Sequence, residues 1–224
     1  MFGNKGQDLR IEARHRPLAG WQGVVGAQVE SSRFSAVGEE AFAPFSRTRS
    51  QALFVHEERS TSWGQFNAGA RCESVSVQSL GNPQVDRFDD GIGTQKFNPF
   101  SLAAGAVYQL SSDWRLTANG AMTQRAPKDY ELYANGPHVA THAWEIGSST
   151  LGLEKSRSLD LGLQWQQGPN RMAVTAFASR FSNYIGLMGT AEVEDDLPVQ
   201  RYEGVRARFQ GIEVHGRQRL WQGG

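Results

Sequence analysis

The chain has 224 residues, with 23 Lys+Arg against 23 Asp+Glu and a formal net charge of zero, which removes the basic footprint of a general nucleic-acid binder. Its single cysteine, Cys72, excludes an internal disulfide and any cysteine-cluster metal site. Hydrophobic residues make up only 39%, yet aromatics reach 10% with six Trp, too many for a disordered chain, and no apolar run approaches the ~20 residues of a spanning helix.

Residues 1–16 carry Lys5, Asp8, Arg10, Glu12, Arg14 and Arg16 and no apolar h-region, so they do not read as a signal peptide. The chain is then either not exported or a piece of a longer precursor. From there the dominant pattern has period two. Leu9, Ile11 and Ala13 alternate with charges, and Val25, Ala27 and Val29 alternate with polar or small residues. Stretches 50–59 and 100–110 are strand-like with two partly apolar faces. Ala68, Ala70 and Cys72 alternate with Asn67, Arg71 and Glu73, and Leu116, Ala118 and Met122 with Arg115, Thr117 and Asn119. Leu159, Leu161 and Leu163 oppose Ser158, Asp160 and Gln164. Met172, Val174 and Ala176 follow, and a last strand runs from about Tyr202 to Leu220. Within it, Val205, Ala207 and Phe209 have one parity and Ile212 and Val214 the other, which predicts a bulge at Gln210–Gly211.

This gives about nine strands. Their connections alternate in length: short at 17–20, 60–62, 111–113 and 167–170, long at 33–49, 78–99, 126–154 and 183–200. Trp21, Trp63, Trp114, Trp165 and Trp221 sit beside short turns, and only Trp144 lies in a long connection. Indole rings at one height form an aromatic girdle in the headgroup layer. The fold class predicted is all-β: an antiparallel up-and-down transmembrane β-barrel, with Val25, Ala27, Ala68, Ala70, Cys72, Leu161 and Leu163 facing lipid. Arg10, Glu12, Arg71, Glu73, Arg115 and Asp160 then face a wet lumen.

The stretch 124–163, QRAPKDYELYANGPHVATHAWEIGSSTLGLEKSRSLDLGL, resembles the barrel region of TonB-dependent outer-membrane receptors, with R-A-P, E-L-Y-A and L-E-K-S-R-S-L-D-L-G-L in that family's order. The tail VRARFQGIEVHGRQRL is similar to a later strand of the same family. The resemblance implies a barrel of about 22 strands in the outer membrane of a Gram-negative bacterium, of which the nine strands are then a β-barrel fragment that is not closed. It also implies a plug domain and energy from the TonB complex. No plug, TonB box or aromatic-ended terminal strand occurs in this sequence, so residues 1–224 read as part of one barrel domain. Segment 136–147, GPHVATHAWEIG, is similar to a loop of the zinc-uptake receptors of the family.

His138 and His142 are the candidate metal contacts, with Glu131 and Glu145 as oxygen donors. On an extended strand the i and i+4 positions lie about 13 Å apart, too far to share an ion. The pair therefore requires a short helix over 137–143, with Asn135 as cap and Pro137 at its first position. Glu192, Glu194, Asp195 and Asp196 read as a solvated loop tip that could gather cations. Asp86, Asp89 and Asp90 read as turn chemistry, since their spacing misses the EF-hand pattern. No nucleophile elbow, phosphate loop or zinc-protease motif is present, so no enzyme is predicted and no cofactor beyond Zn²⁺ as a transported ligand.

The expected function is part of an outer-membrane receptor for a scarce nutrient, possibly Zn²⁺ by the loop resemblance. The partners are membrane lipid, the receptor's own plug, the TonB complex and a small ligand or metal ion, with no nucleic acid. Alternatives are a siderophore or other metal-chelate receptor, a passive porin or adhesin-like barrel, a gene fragment without function, and a soluble β-rich carbohydrate-binding module.

Overall fold

A computed structural model describes residues 2–38, 41–91 and 93–220. They form one sheet, open at both sides of its strand order. The nine strands expected from alternation are all present. They are β1 (Phe2–Arg14), β2 (Trp21–Ala36), β3 (Ser46–Thr61), β4 (Gly64–Ser79), β6 (Phe100–Gln109), β7 (Trp114–Arg125), β10 (Glu154–Gln167), β11 (Asn170–Glu194) and β12 (Leu197–Arg217). Three short strands raise the total to twelve: β5 (Gly93–Phe97), β8 (Asn135–His138) and β9 (Ala143–Ile146). At four or five residues each they are too short to show a period, which is why the count of about nine fell short. One helical turn, α1 (Asp129–Tyr133), and a 3₁₀ turn at Asp86–Gly91 complete the long connections.

The nine long strands pair antiparallel with their sequence neighbours, as a meander requires. The register carries one apolar face across the whole sheet. Ile11 pairs with Ala27, Ala27 with Leu53, Leu53 with Cys72 and Cys72 with Phe100. Further on, Leu102 pairs with Met122, Ala118 with Leu161, Leu161 with Ala176 and Ala176 with Ile212. This face is bare: Leu161 is 53% exposed and Ile212 72%. A soluble sandwich would cover it with a second sheet. The opposite face holds the predicted lumen charges, where Arg10 bonds Glu12 at 2.6 Å and lies over the Phe54 ring, and Arg71 pairs with Glu73.

Two expectations are corrected. There is no bulge at Gln210–Gly211, because pairing with β11 is regular from Ala207 to Arg217. The shift lies instead on β11, between Phe181 and Tyr184, where both flanking strands slip together. Ile212 and Val214 therefore face outward and Phe209 inward, where its ring meets Phe181 and Tyr184 at 5.6 and 5.5 Å. Nor is 183–200 a loop. Strands β11 and β12 run on past the belt to a two-residue turn at Asp195–Asp196, both with positive φ (47° and 62°), the geometry of a type I′ hairpin.

At the short-turn end, aromatic rings line the apolar face: Trp21 against Phe66 at 5.7 Å, Trp63 stacked on Tyr108 at 5.8 Å, and Trp114 paired with Trp165. Trp221 lies outside the described residues. At the long-connection end, segment 126–153 packs across the inner face. Leu132 and Leu151 close over Val75, Val77 and Ile185, and Phe42, Ala43 and Ala134 form an adjoining cluster. The buried core is this cap.

Candidate functional site

The cap begins where β7 ends. Arg125 lies beyond the apolar belt and reaches two carboxylates. It donates to Glu131 at 2.8 and 3.1 Å and to Glu154 at 3.1 and 3.0 Å. Burial pulls the Arg125 pKa down, but the hydrogen bonds to Glu154 and Glu131 outweigh it and hold the guanidinium above its ordinary value. Burial would raise Glu154, yet Arg125 and the backbone N–H of Ile185 hold it below the usual carboxylate range. Glu131 also accepts from the Lys128 N–H at 2.6 Å and so caps α1. The R-A-P, E-L-Y-A and L-E segments singled out in the sequence thus meet in one ion cluster.

Glu131 is therefore spent on Arg125, in a cluster separate from the histidines. Segment 137–143 is not helical. Asn135–His138 and Ala143–Ile146 pair as a β-hairpin, because Asn135 is used elsewhere: its N–H bonds the Phe42 carbonyl and its side chain accepts from the Trp144 indole at 3.1 Å. His142 falls at the left-handed position of the hairpin turn (φ 51°) and is exposed, with no side-chain hydrogen bond among the described residues. His138 and Glu145 do come together. Glu145, 1% exposed, accepts from His138 Nδ1 at 2.7 Å, Thr141 Oγ1 at 2.8 Å and the Tyr202 hydroxyl at 2.9 Å. Burial first, then the adjacent Glu145 carboxylate, push the Tyr202 phenol far above its usual value, so it stays a donor. The His138 ring stacks on Phe42 at 4.1 Å with planes 7° apart.

A carboxylate on Nδ1 fixes the imidazole orientation and tautomer and leaves Nε2 as the free lone pair, the arrangement that prepares histidine for a metal. In this chain the carboxylate of that arrangement is Glu145 and the imidazole His138. Among the described residues no three His, Cys, Asp or Glu side chains converge as a cation site. Below the cap, the inner face borders an open cleft of about 550 Å³ lined by Phe34, Glu73, Arg125 and Tyr130 among others. Sequence reasoning named Glu145 and His138, which meet, and missed their partners Tyr202 and Phe42, which arrive from 57 and 96 residues away.

Arg87 fastens the neighbouring loops, donating to the Asn135 carbonyl at 2.7 Å and the Ala41 carbonyl at 2.6 Å. The 3₁₀ turn beginning at Asp86 thus serves as a clamp, and the side chains of Asp89 and Asp90 fall outside the described residues. The acidic tip is equally local, with Glu192 paired to Arg201 at 2.6 Å.

The sheet aligns with solved structures at low identity. The structure titled "Copper transporter OprC" matches with a TM-score of 0.75 at 16% identity, over 98% of this chain and 35% of that one. The hemophore receptor HasR of Serratia marcescens, solved with its hemophore HasA and heme, matches at 0.70 and 16%, over 96% and 39%. The FrpB iron transporter of Neisseria meningitidis matches at 0.66 and 13%, over 98% and 33%. This chain spans between a third and two fifths of the length of these proteins. The family model for the TonB dependent receptor-like β-barrel matches residues 2–224, and the chain belongs to that family.

Proposed function

We propose that this chain is a wall segment of an outer-membrane receptor for a scarce metal, taken up as an ion or a chelate. The whole receptor adds a plug domain and draws energy from the TonB complex. The observation that carries the reading is the two-faced sheet, with a continuous bare apolar face toward lipid and a charged face toward the lumen, closed at the long-connection end by a buried cap. The wall does no chemistry and the chain is not an enzyme. The likeness to copper, heme and iron proteins supports metal cargo as a class.

Within that class, the His138–Glu145 pair supports a free divalent ion such as Zn²⁺, since Nε2 is the atom left available. The cleft beneath the cap supports a second reading, a metal chelate held against Phe34 and Tyr130, because its volume lies in the range of small-ligand sites. The test is calorimetry on the full-length receptor with Zn²⁺ and, separately, with a ferric chelate. Zinc heat that is lost in His138→Ala supports the ion. Chelate heat unaffected by that change supports the second reading, and no heat with either cargo rejects metal uptake.

A further inference from the structure

The outward face does not end in neutral residues. Next above the apolar belt on β10, β11 and β12, Arg157 is the register partner of Arg180, and Arg180 of Arg208. All three are exposed, and the regular pairing of Leu159, Ala176 and Ile212 puts them on the same outward face. Like charges directly opposite one another on adjacent strands are destabilising. None of the three has an ion pair among the described residues. Their neighbours on that face are Met122, Leu159, Ala178 and Gln210, which bring no carboxylate.

The same arrangement recurs on β1–β3. Lys5 pairs with Arg33 and Arg33 with Arg47, again outward and again past the last apolar position. Arg47 Nε is buried with no hydrogen-bond partner. From the Trp at the short-turn end, the two rows lie eight positions along β10 (Trp165 to Arg157) and twelve along β2 (Trp21 to Arg33). With ~3.3 Å per residue and strands tilted about 40°, these positions lie roughly 20 and 30 Å from the Trp level and bracket the ~25 Å apolar band of a barrel. Both rows therefore fall at the far membrane surface, beside the long connections.

We propose that these two rows of cations are binding sites for the phosphate groups of an anionic lipid in the outer leaflet. The proposal rests on the membrane reading above. A lipid is the occupant rather than free phosphate because each row sits at the end of an uncovered apolar strip, Leu159–Leu161–Leu163 in one case and Val25–Ala27–Val29 in the other. That strip takes acyl chains while the guanidinium groups take the phosphates, and Arg suits phosphate through paired N–H donors. The phosphates supply the counter-charge that the strands lack.

The test uses the full-length receptor, inserted in phosphatidylcholine bilayers with and without bis-phosphorylated lipid A. Insertion is read from heat-modifiable migration, and retained lipid from mass spectrometry after detergent extraction. The wild type should keep lipid A through the wash, release it at high salt, and show no retention of inorganic phosphate. Arg157→Gln with Arg180→Gln should lower retention by roughly fivefold per arginine, and Arg33→Gln with Arg47→Gln should do the same at the second site. If one pair of variants fails to fold, the other pair and the wild-type salt dependence still decide. An inserted wild type that washes free of lipid A, or that holds inorganic phosphate as firmly, overturns the proposal alone. A receptor that never inserts overturns the membrane reading as well.

Discussion

The Tyr202 hydroxyl donates to Glu145 at 2.9 Å, joining β12 to the 136–147 hairpin across 57 residues of sequence. Glu145 is almost fully buried, so each of its donors matters. Removing a partner of a buried charged acceptor costs the desolvation of that acceptor as well as the bond. Tyr202→Phe should therefore loosen the hairpin by about 1.5–3 kcal/mol without touching the barrel. Hydrogen exchange on the full-length receptor should show faster exchange over 136–147 and unchanged protection in β10 and β11. Equal protection of the hairpin would mean that the Tyr202 bond is not what holds it.

Arg125 serves two carboxylates, and its loss strands both. Glu131 is 7% exposed at its side chain and Glu154 16%, while Arg125 itself is 35% exposed, so part of the interaction is screened. Arg125→Met should cost about 2–3 kcal/mol of cap stability, toward the lower side of buried-pair losses. Glu131→Gln should cost less, because Glu154 stays paired. Limited proteolysis between 126 and 153 is the measurement, and the two variants should rank in that order.

The same cluster gives a pH dependence. Glu154 is depressed in the folded state, so its contribution is fully present above the unfolded carboxylate value of about 4.3 and is lost as pH falls through the lower folded value. Trp144, buried in the cap, is the reporter. Its fluorescence, isolated by difference against Trp144→Phe, should be constant from neutral pH to about 5 and shift red only below about 4. A transition near neutral pH would point to a histidine instead.

The two faces should answer differently to charge. Leu161→Arg places a cation on the lipid side near mid-belt and should cost roughly 2–4 kcal/mol. Asp160→Asn, one residue away on the lumen side, should be close to neutral. Refolding yield into liposomes separates the two, and similar yields would contradict the assignment of faces.

Gly64 opens β4 at the Thr61–Gly64 turn, and a Cβ there would lie 1.9 Å from the Val107 carbonyl oxygen. Backbone cannot swing aside as a side-chain end can. Gly64→Val should reduce the folded fraction several-fold in a heat-modifiability gel, whereas Gly152→Val, with open space around it, should not.

Which parts of this fold were readable depended on how long a pattern persisted. Leu159 to Trp165 alternates long enough to declare a strand and its faces. Residues 93–97 and 143–146 do not, and their strands form only because β4 and β12 offer edges. The bulge was inferred from parity on β12 alone. The slip sits on its neighbour at Phe181–Tyr184, and one strand's sequence cannot show a displacement absorbed by another. A shared ion between His138 and His142 requires a helix over 137–143, and the local signals for one are only Asn135 as cap and Pro137 at the first position. The preference for a hairpin comes from Phe42 and Trp144 engaging Asn135, contacts that only the folded cap supplies. Glu131 looked like a ligand by its chemistry, and Arg125, six residues earlier, had the prior claim.

The 143–146 strand lies parallel to β12 and takes up its edge at Val199, Gln200 and Arg201. That edge is thus divided. Toward the hairpin tip it is already filled by the chain's own cap, and from Tyr202 to Arg217 it is vacant among the described residues. Any strand that adds to β12 can run alongside it only as far as Tyr202 before it meets Trp144–Ile146 and must turn away. The cap acts here as an end stop for strand addition, setting how far up the wall the next neighbour can climb.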